Sequence, residues 1–232
     1  MTANNMSAIS WVGTALAIAI WDWVAIALSQ RRLGYLTKPA VTLALMVAVL
    51  KGNTDPKSPL TWIALGLLFA LIGDIALMLP RERLKLGLFA FMATDIAYLA
   101  AFNFTAPPVM WETTAVAMVV AIIVGIYYRR IVRALHEKGN DHLRLPLGAY
   151  AIAVSLMAVG ALLLPLHREL EHGVALAVAA GAVLFLLSDG LLAWHKFVRP
   201  LPQGTLLVRI TYHIAQALIV TGSLILWGKV MP

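Results

Sequence analysis

Two carboxylates interrupt apolar segments of this sequence in the same way. Asp74 lies within Leu71-Ile72-Gly73-Asp74-Ile75-Ala76-Leu77-Met78, and Asp189 lies 115 positions later within Leu187-Ser188-Asp189-Gly190-Leu191-Leu192. Each follows a small residue, has apolar residues on both sides and meets basic residues a few positions beyond. An ionisable group at membrane depth is expensive, and its default reading is a functional site. Two carboxyls held close together away from water form an acid/base pair, because poor solvation and mutual repulsion let one keep its proton while the other ionises. The structural alternative is that each bonds a neighbouring helix or a lysine.

Other polar residues fall in similar surroundings. Asp95 and Tyr98 are three positions apart, on one face of a helix. They are candidates for a proton donor and a substrate contact, or for hydrogen bonds to each other and to a neighbouring helix. Tyr212, His213 and Gln216 form a polar stripe able to orient a water or a polar headgroup, or to join helices. Lys38 can counter an Asp, bind a lipid phosphate or extend its ammonium to the interface. Asp22, between Trp21 and Trp23 and close to Arg31 and Arg32, reads as interfacial and structural.

The elements that carry these residues are set by composition. With 61% hydrophobic and 12% charged residues, the chain is a polytopic, all-α membrane protein in one bundle and leaves no room for a soluble domain. We place eight spans at about 8–28, 35–50, 60–79, 84–104, 109–128, 145–165, 173–194 and 205–228. The second is short for a hydrocarbon core of ~30 Å. Pro39 and Pro146 suit first-turn positions, Pro80 and Pro165 suit stops, and Pro56, Pro59, Pro107 and Pro108 mark connections. The first ten residues carry no Lys or Arg, so the first span is expected to be retained although Ala27-Leu28-Ser29 loosely resembles a cleavage site.

The net charge of +7 belongs to the loops and does not imply nucleic acid. Arg31, Arg32, Lys38, Arg81, Arg83, Lys85, Arg129, Arg130, Arg133, Lys138, Arg144, Lys196, Arg199 and Arg209 follow odd-numbered spans. Lys51, Lys57, Arg168 and Lys229 fall on the other side. The positive-inside rule then puts both termini outside and the odd-numbered connections in the cytoplasm. In that orientation nearly every polar residue of the spans lies in the cytoplasmic half or at the midplane. We expect a polar cavity open to the cytoplasmic leaflet above a largely apolar floor. Asp95-Ile96-Ala97-Tyr98 also lines up with His213-Ile214-Ala215-Gln216, as Asp74 does with Asp189, which suggests a weak repeat of two four-helix halves.

Several chemistries are set aside. There are no cysteines, so disulfides and thiolate sites are excluded. A catalytic zinc needs about three inward ligands. His136, His142, His167 and His172 read as loop residues and His195 sits at a span end, which leaves His213 alone at depth, so no metal is expected. A retinal Schiff base needs a mid-span lysine, and Lys229 lies at the end of span 8. There is no Gly-x-Ser-x-Gly elbow and no phosphate-binding loop.

Lys38-Pro39, LLFALIGDIALMLPRERL across 67–84, GLFAFMATDIAYLAAF across 87–102, LFLLSDGLLA across 184–193 and TYHIAQALIV across 211–220 together resemble the YhhN-like, lysoplasmalogenase family of integral membrane proteins. The resemblance runs in order from about residue 35 to the end, and the family's eight spans agree with the number placed above. It implies hydrolysis of the vinyl-ether bond of lysoplasmalogens to a fatty aldehyde and a glycerophospho-base, without a cofactor. Matched by position, the site residues it implies are Lys38, Asp74, Tyr98, Asp189, Tyr212 and Gln216. Asp95 stands where the family usually has histidine, so a histidine's role does not transfer.

The chemistry suits the residues. A vinyl ether hydrolyses by protonation at carbon, followed by water capture of the oxocarbenium ion, which calls for one acid and one carboxylate. Asp74 and Asp189 are the expected catalytic pair, their two roles left open. Lys38, Asp95, Tyr98, Tyr212, His213 and Gln216 are the expected substrate contacts, with Lys38 on the lipid phosphate. The expected partners are a lysophospholipid and the surrounding lipids, in a bacterial inner membrane. The competing reading is a proton-coupled transporter or lipid-binding protein, which would need polar groups across the outer half, where the sequence has almost none.

Overall fold

The computed structural model describes residues 3–53, 55–79, 83–104 and 111–228. Within them lie eight long helices: α1 (Ala3–Ala27), α2 (Arg31–Gly52), α3 (Pro59–Met78), α4 (Leu84–Phe102), α5 (Trp111–Glu137), α6 (Arg144–Leu163), α7 (His172–Ala193) and α8 (Gly204–Trp227). A 3-10 turn flanks α6 on each side, and a π-helical turn, Trp194–Val198, prolongs α7. Each of the eight holds a segment long and apolar enough to cross a bilayer, where a helix satisfies every backbone group internally. The chain is an integral membrane protein of the all-α, polytopic class.

Three features of the helices differ from the expected spans. The second span is not short: α2 runs from Arg31 to Gly52, and Pro39 lies inside it rather than in its first turn. The ring removes the hydrogen bond to the carbonyl of Tyr35, directly beside Lys38. The fifth helix does not stop at 128 but continues to Glu137, so Arg129, Arg130, Arg133 and His136 are helical and not loop residues. Pro80, Arg81, Pro107, Pro108 and Lys229 lie outside the described residues.

Neighbours in sequence pair as hairpins: α1 with α2, α3 with α4, α7 with α8. α4 then packs on α6, and α8 closes the bundle against α1, α2 and α3. That leaves α5 at the periphery, touching α6 and the π-turn of α7. We call the end bearing the odd-numbered connections the basic end. There Lys138 Nζ donates to the carbonyls of Phe197 (2.8 Å) and Val198 (3.0 Å), which satisfies the unpaired C-terminal carbonyls of α7. The main core, including Leu45, Leu67, Phe102, Met157, Phe185 and Ile219, runs through the other seven helices.

Close approach of helices depends on two glycines. A Cβ at Gly66 would overlap the Tyr98 ring, and one at Gly181 would come within 2.9 Å of the Ala215 carbonyl oxygen. Small residues at such crossings let backbones meet without a large side chain between them. The offset that relates Asp74 to Asp189 also relates Gly66 to Gly181. Gly66→Ala is expected to push Tyr98 from its place and cost about 1–3 kcal/mol, read as a lower thermal midpoint in detergent; an unchanged midpoint would show that α3 and α4 part freely.

Candidate active site

Asp74 sits near the basic end of α3, fully buried, and α2 meets it with two residues one turn apart. Lys38 Nζ lies 2.7 Å from Asp74 Oδ1, and Thr42 donates to Oδ2 at 2.7 Å. From α8 the Tyr212 hydroxyl donates to the same Oδ2 at 3.2 Å. The chain of bonds continues: Gln216 Nε2 donates to the Tyr212 oxygen (3.3 Å), and the Tyr98 hydroxyl donates to Gln216 Oε1 (2.6 Å). One network therefore ties α2, α3, α8 and α4 together through the centre of the bundle. Lys38 is 8% exposed and sits over the rings of Tyr212 (4.9 Å) and Phe91 (5.8 Å), where the ring faces favour a cation.

Asp189 occupies different ground. Its Oδ2 accepts the Tyr150 hydroxyl of α6, and both residues line a cavity of about 730 Å³ between α4, α5, α6 and α7. Tyr127 of α5, another lining residue, donates to the carbonyl of Gly190. Phe91 forms part of the wall, and its ring meets those of Tyr212 and Phe185 edge to face at 6.0 and 6.5 Å. Asp189 lies within electrostatic reach of both Lys38 and Asp74. The cavity corrects one expectation: it is walled by Leu, Val, Ile, Ala and aromatic side chains, while most of the polar residues are packed beside it and not around it.

The remaining candidates fall into place around these two. Asp95 is fully buried within electrostatic reach of Asp189, and neither carboxylate oxygen has a hydrogen-bond partner among the described residues; Tyr98 bonds Gln216 instead. His213 Nδ1 accepts from Trp23 Nε1 at 3.0 Å, which leaves the proton on Nε2. That nitrogen is also buried without a partner among the described residues. Asp22 is fully buried. Arg209 Nη1 reaches both its oxygens at 2.9 Å, and Thr37 donates to it as well, a structural tie between α1, α2 and α8. Lys38 is engaged with Asp74 and stands off the cavity wall.

Sequence reading gave no site role to Thr42, Tyr150, Phe91, Trp23 or Arg209. Thr42 had a signal, one helical turn after Lys38 on the same face. Tyr150 had a weaker one, as one of two hydroxyls, with Ser155, in an otherwise apolar run. What results is a carboxyl on the wall of an apolar-lined cavity, and a second carboxylate held by a lysine, a threonine and a tyrosine. Such an arrangement can transfer a proton to an apolar substrate and support the positive charge that follows.

The chain is similar to known proteins over most of its length. The chain is 31% identical to lysoplasmalogenase TMEM86B of Homo sapiens over 153 residues, 66% of this chain and 59% of that protein. It is 33% identical to lysoplasmalogenase TMEM86B of Mus musculus over 172 residues, 73% of this chain and 66% of that protein. With lysoplasmalogenase TMEM86A of Homo sapiens it shares 29% over 161 residues, 68% of this chain and 63% of that protein. The chain thus spans about three fifths of the length of the curated relatives it matches. No solved structure matches it. The model of the YhhN family covers residues 33–223, which include Lys38, Asp74, Asp95, Tyr98, Asp189 and Gln216, and the chain belongs to that family.

Proposed function

We propose that this protein hydrolyses the vinyl-ether bond of a lysoplasmalogen-type lysophospholipid within the membrane, releasing a fatty aldehyde and a glycerophospho-base. The observation that carries the reading is the placing of Asp189: among the described residues it is the one carboxyl lining the cavity, and most of the remaining lining suits a hydrocarbon chain. The names of the curated relatives point to the same activity.

Asp189 delivers its proton to the vinyl carbon distal to the ether oxygen, and the double-bond electrons form the new C–H bond. The oxocarbenium ion left behind lies beside the new Asp189 carboxylate and within the field of Asp74. Water adds to the carbon attached to oxygen as Asp189 takes back a proton, and the hemiacetal collapses to aldehyde and alcohol. Water is consumed and the acid is regenerated. Asp74, joined to Lys38, Thr42 and Tyr212, supplies a fixed negative charge. Tyr98, Gln216 and Tyr212 hold that network in register, and Tyr150 orients Asp189. In the cell the basic end faces the cytoplasm, both termini face out, and a bacterial inner membrane is the setting.

The test is purified protein given lysoplasmalogen and matched 1-acyl lysophospholipids, with aldehyde and fatty acid scored separately. Aldehyde from the vinyl ether and no fatty acid from the ester is the expected result. Fatty acid release, or no product from either, defeats the reading.

A further inference from the structure

The cavity has two unlike ends. Asp189 and Tyr150 are bonded to each other and mark one level of the bundle. Going away from the basic end, Ala158 and then Leu162 of α6 follow Tyr150 along the lining. The helical rise puts Ala158 about 12 Å and Leu162 about 18 Å deeper than Tyr150. Val183 of α7, another lining residue, lies about 9 Å deeper than Asp189 by the same rise. Among the described residues, every one that lines the cavity beyond that level is apolar. Going the other way, the lining passes Trp194, Lys196, Phe197 and Arg199, and Arg199 is exposed at the mouth. The volume of about 730 Å³ falls in the size range of pockets that enclose one small ligand. Charge at one end and an apolar run at the other match an anionic head on a single tail.

We propose that the cavity takes one hydrocarbon chain of a single-chain phosphate-bearing amphiphile, tail away from the basic end, with Arg199 pairing the phosphate. The cavity floor then sets the longest chain accepted, and the bond between head and tail comes to rest at Asp189. The proposal rests on the cavity being the substrate site, but not on any bond being broken there.

Binding of saturated ethers, which this chemistry leaves intact, provides the test. The probes are 1-O-octadecyl- and 1-O-hexyl-glycerophosphocholine and the neutral 1-O-octadecylglycerol, measured against the full chain in nanodiscs. Two variants shorten the floor. Val183→Trp is made at a residue 43% exposed, which tolerates bulk. Ala158→Phe is made at a fully buried one, from which the ring cannot swing away. Each is expected to weaken octadecyl binding by at least about tenfold through lost apolar contact and to leave binding of the hexyl chain, which ends short of both positions, unchanged. If Ala158→Phe does not fold, Val183→Trp alone decides. Arg199→Gln is expected to weaken both phosphocholine probes by roughly tenfold, the loss of a charge-assisted bond, with octadecylglycerol unaffected.

Equal loss at both chain lengths, no loss at either, or an Arg199→Gln effect that ignores the phosphate overturns the proposal. So does a wild-type chain that binds none of the probes. Binding in the expected pattern without aldehyde release from lysoplasmalogen leaves this inference standing and removes the hydrolase reading.

Discussion

Asp189→Asn is expected to lower aldehyde release by roughly 100- to 10,000-fold, the usual contribution of a positioned general acid. Asn keeps the shape of the side chain and its Oδ1 still accepts the Tyr150 hydroxyl, so the contacts between α6 and α7 survive. What it cannot do is hand a proton to carbon, the slow step of vinyl-ether hydrolysis. Affinity for the saturated octadecyl ether should persist, because the tail is held by apolar walls and not by Asp189. The measurement is aldehyde release together with probe binding and thermal midpoint in detergent. A variant that binds, melts as the parent does and turns over within a few-fold of it would remove Asp189 from the chemistry.

The second large effect is on stability. Lys38→Met should destabilise the protein by about 3–5 kcal/mol, because it strands a buried carboxylate whose cation is gone. The Thr42 and Tyr212 hydroxyls remain as donors but bring no compensating charge. The cost comes from Asp74 being left alone and not from loss of the lysine as such. The double variant Lys38→Met with Asp74→Leu should therefore recover the thermal midpoint, as apolar replacements of buried ion pairs commonly do. It should not recover aldehyde release, since the fixed negative charge is missing. Lys38→Met that melts with the parent would show that the 2.7 Å pair contributes nothing to the fold. Recovery of activity in the double variant would show that Asp74 serves only structure.

The site was legible in the sequence to different degrees for identifiable reasons. Asp74, Asp189, Lys38, Tyr212 and Gln216 announced themselves because a polar group in an apolar segment has few reasons to be there. Their partners did not. Thr42 and Tyr150 are ordinary residues in a membrane helix until a carboxylate from another helix reaches them. Asp22 looked interfacial from its tryptophan neighbours, yet Arg209, far away in sequence, completes its burial. Asp95 looked ready to bond Tyr98, but Gln216 takes that hydroxyl first.

The sequence by itself determined the number of helices, their class and the position of each polar residue along them. Those follow from local physics: lipid forces the backbone to pair within a helix, and the helix's constant rise turns sequence position into height. Only the tertiary structure decided the rest. Which way a side chain faces, and what it meets there, depends on how eight similar apolar surfaces sort against one another, and their composition hardly distinguishes the arrangements. That sorting placed α4 against α6 and left α5 outside, beside an apolar-lined cavity that Asp189 borders. It also closed α2 and α8 over Asp74, so that one carboxylate meets the cavity while its counterpart is held by a lysine.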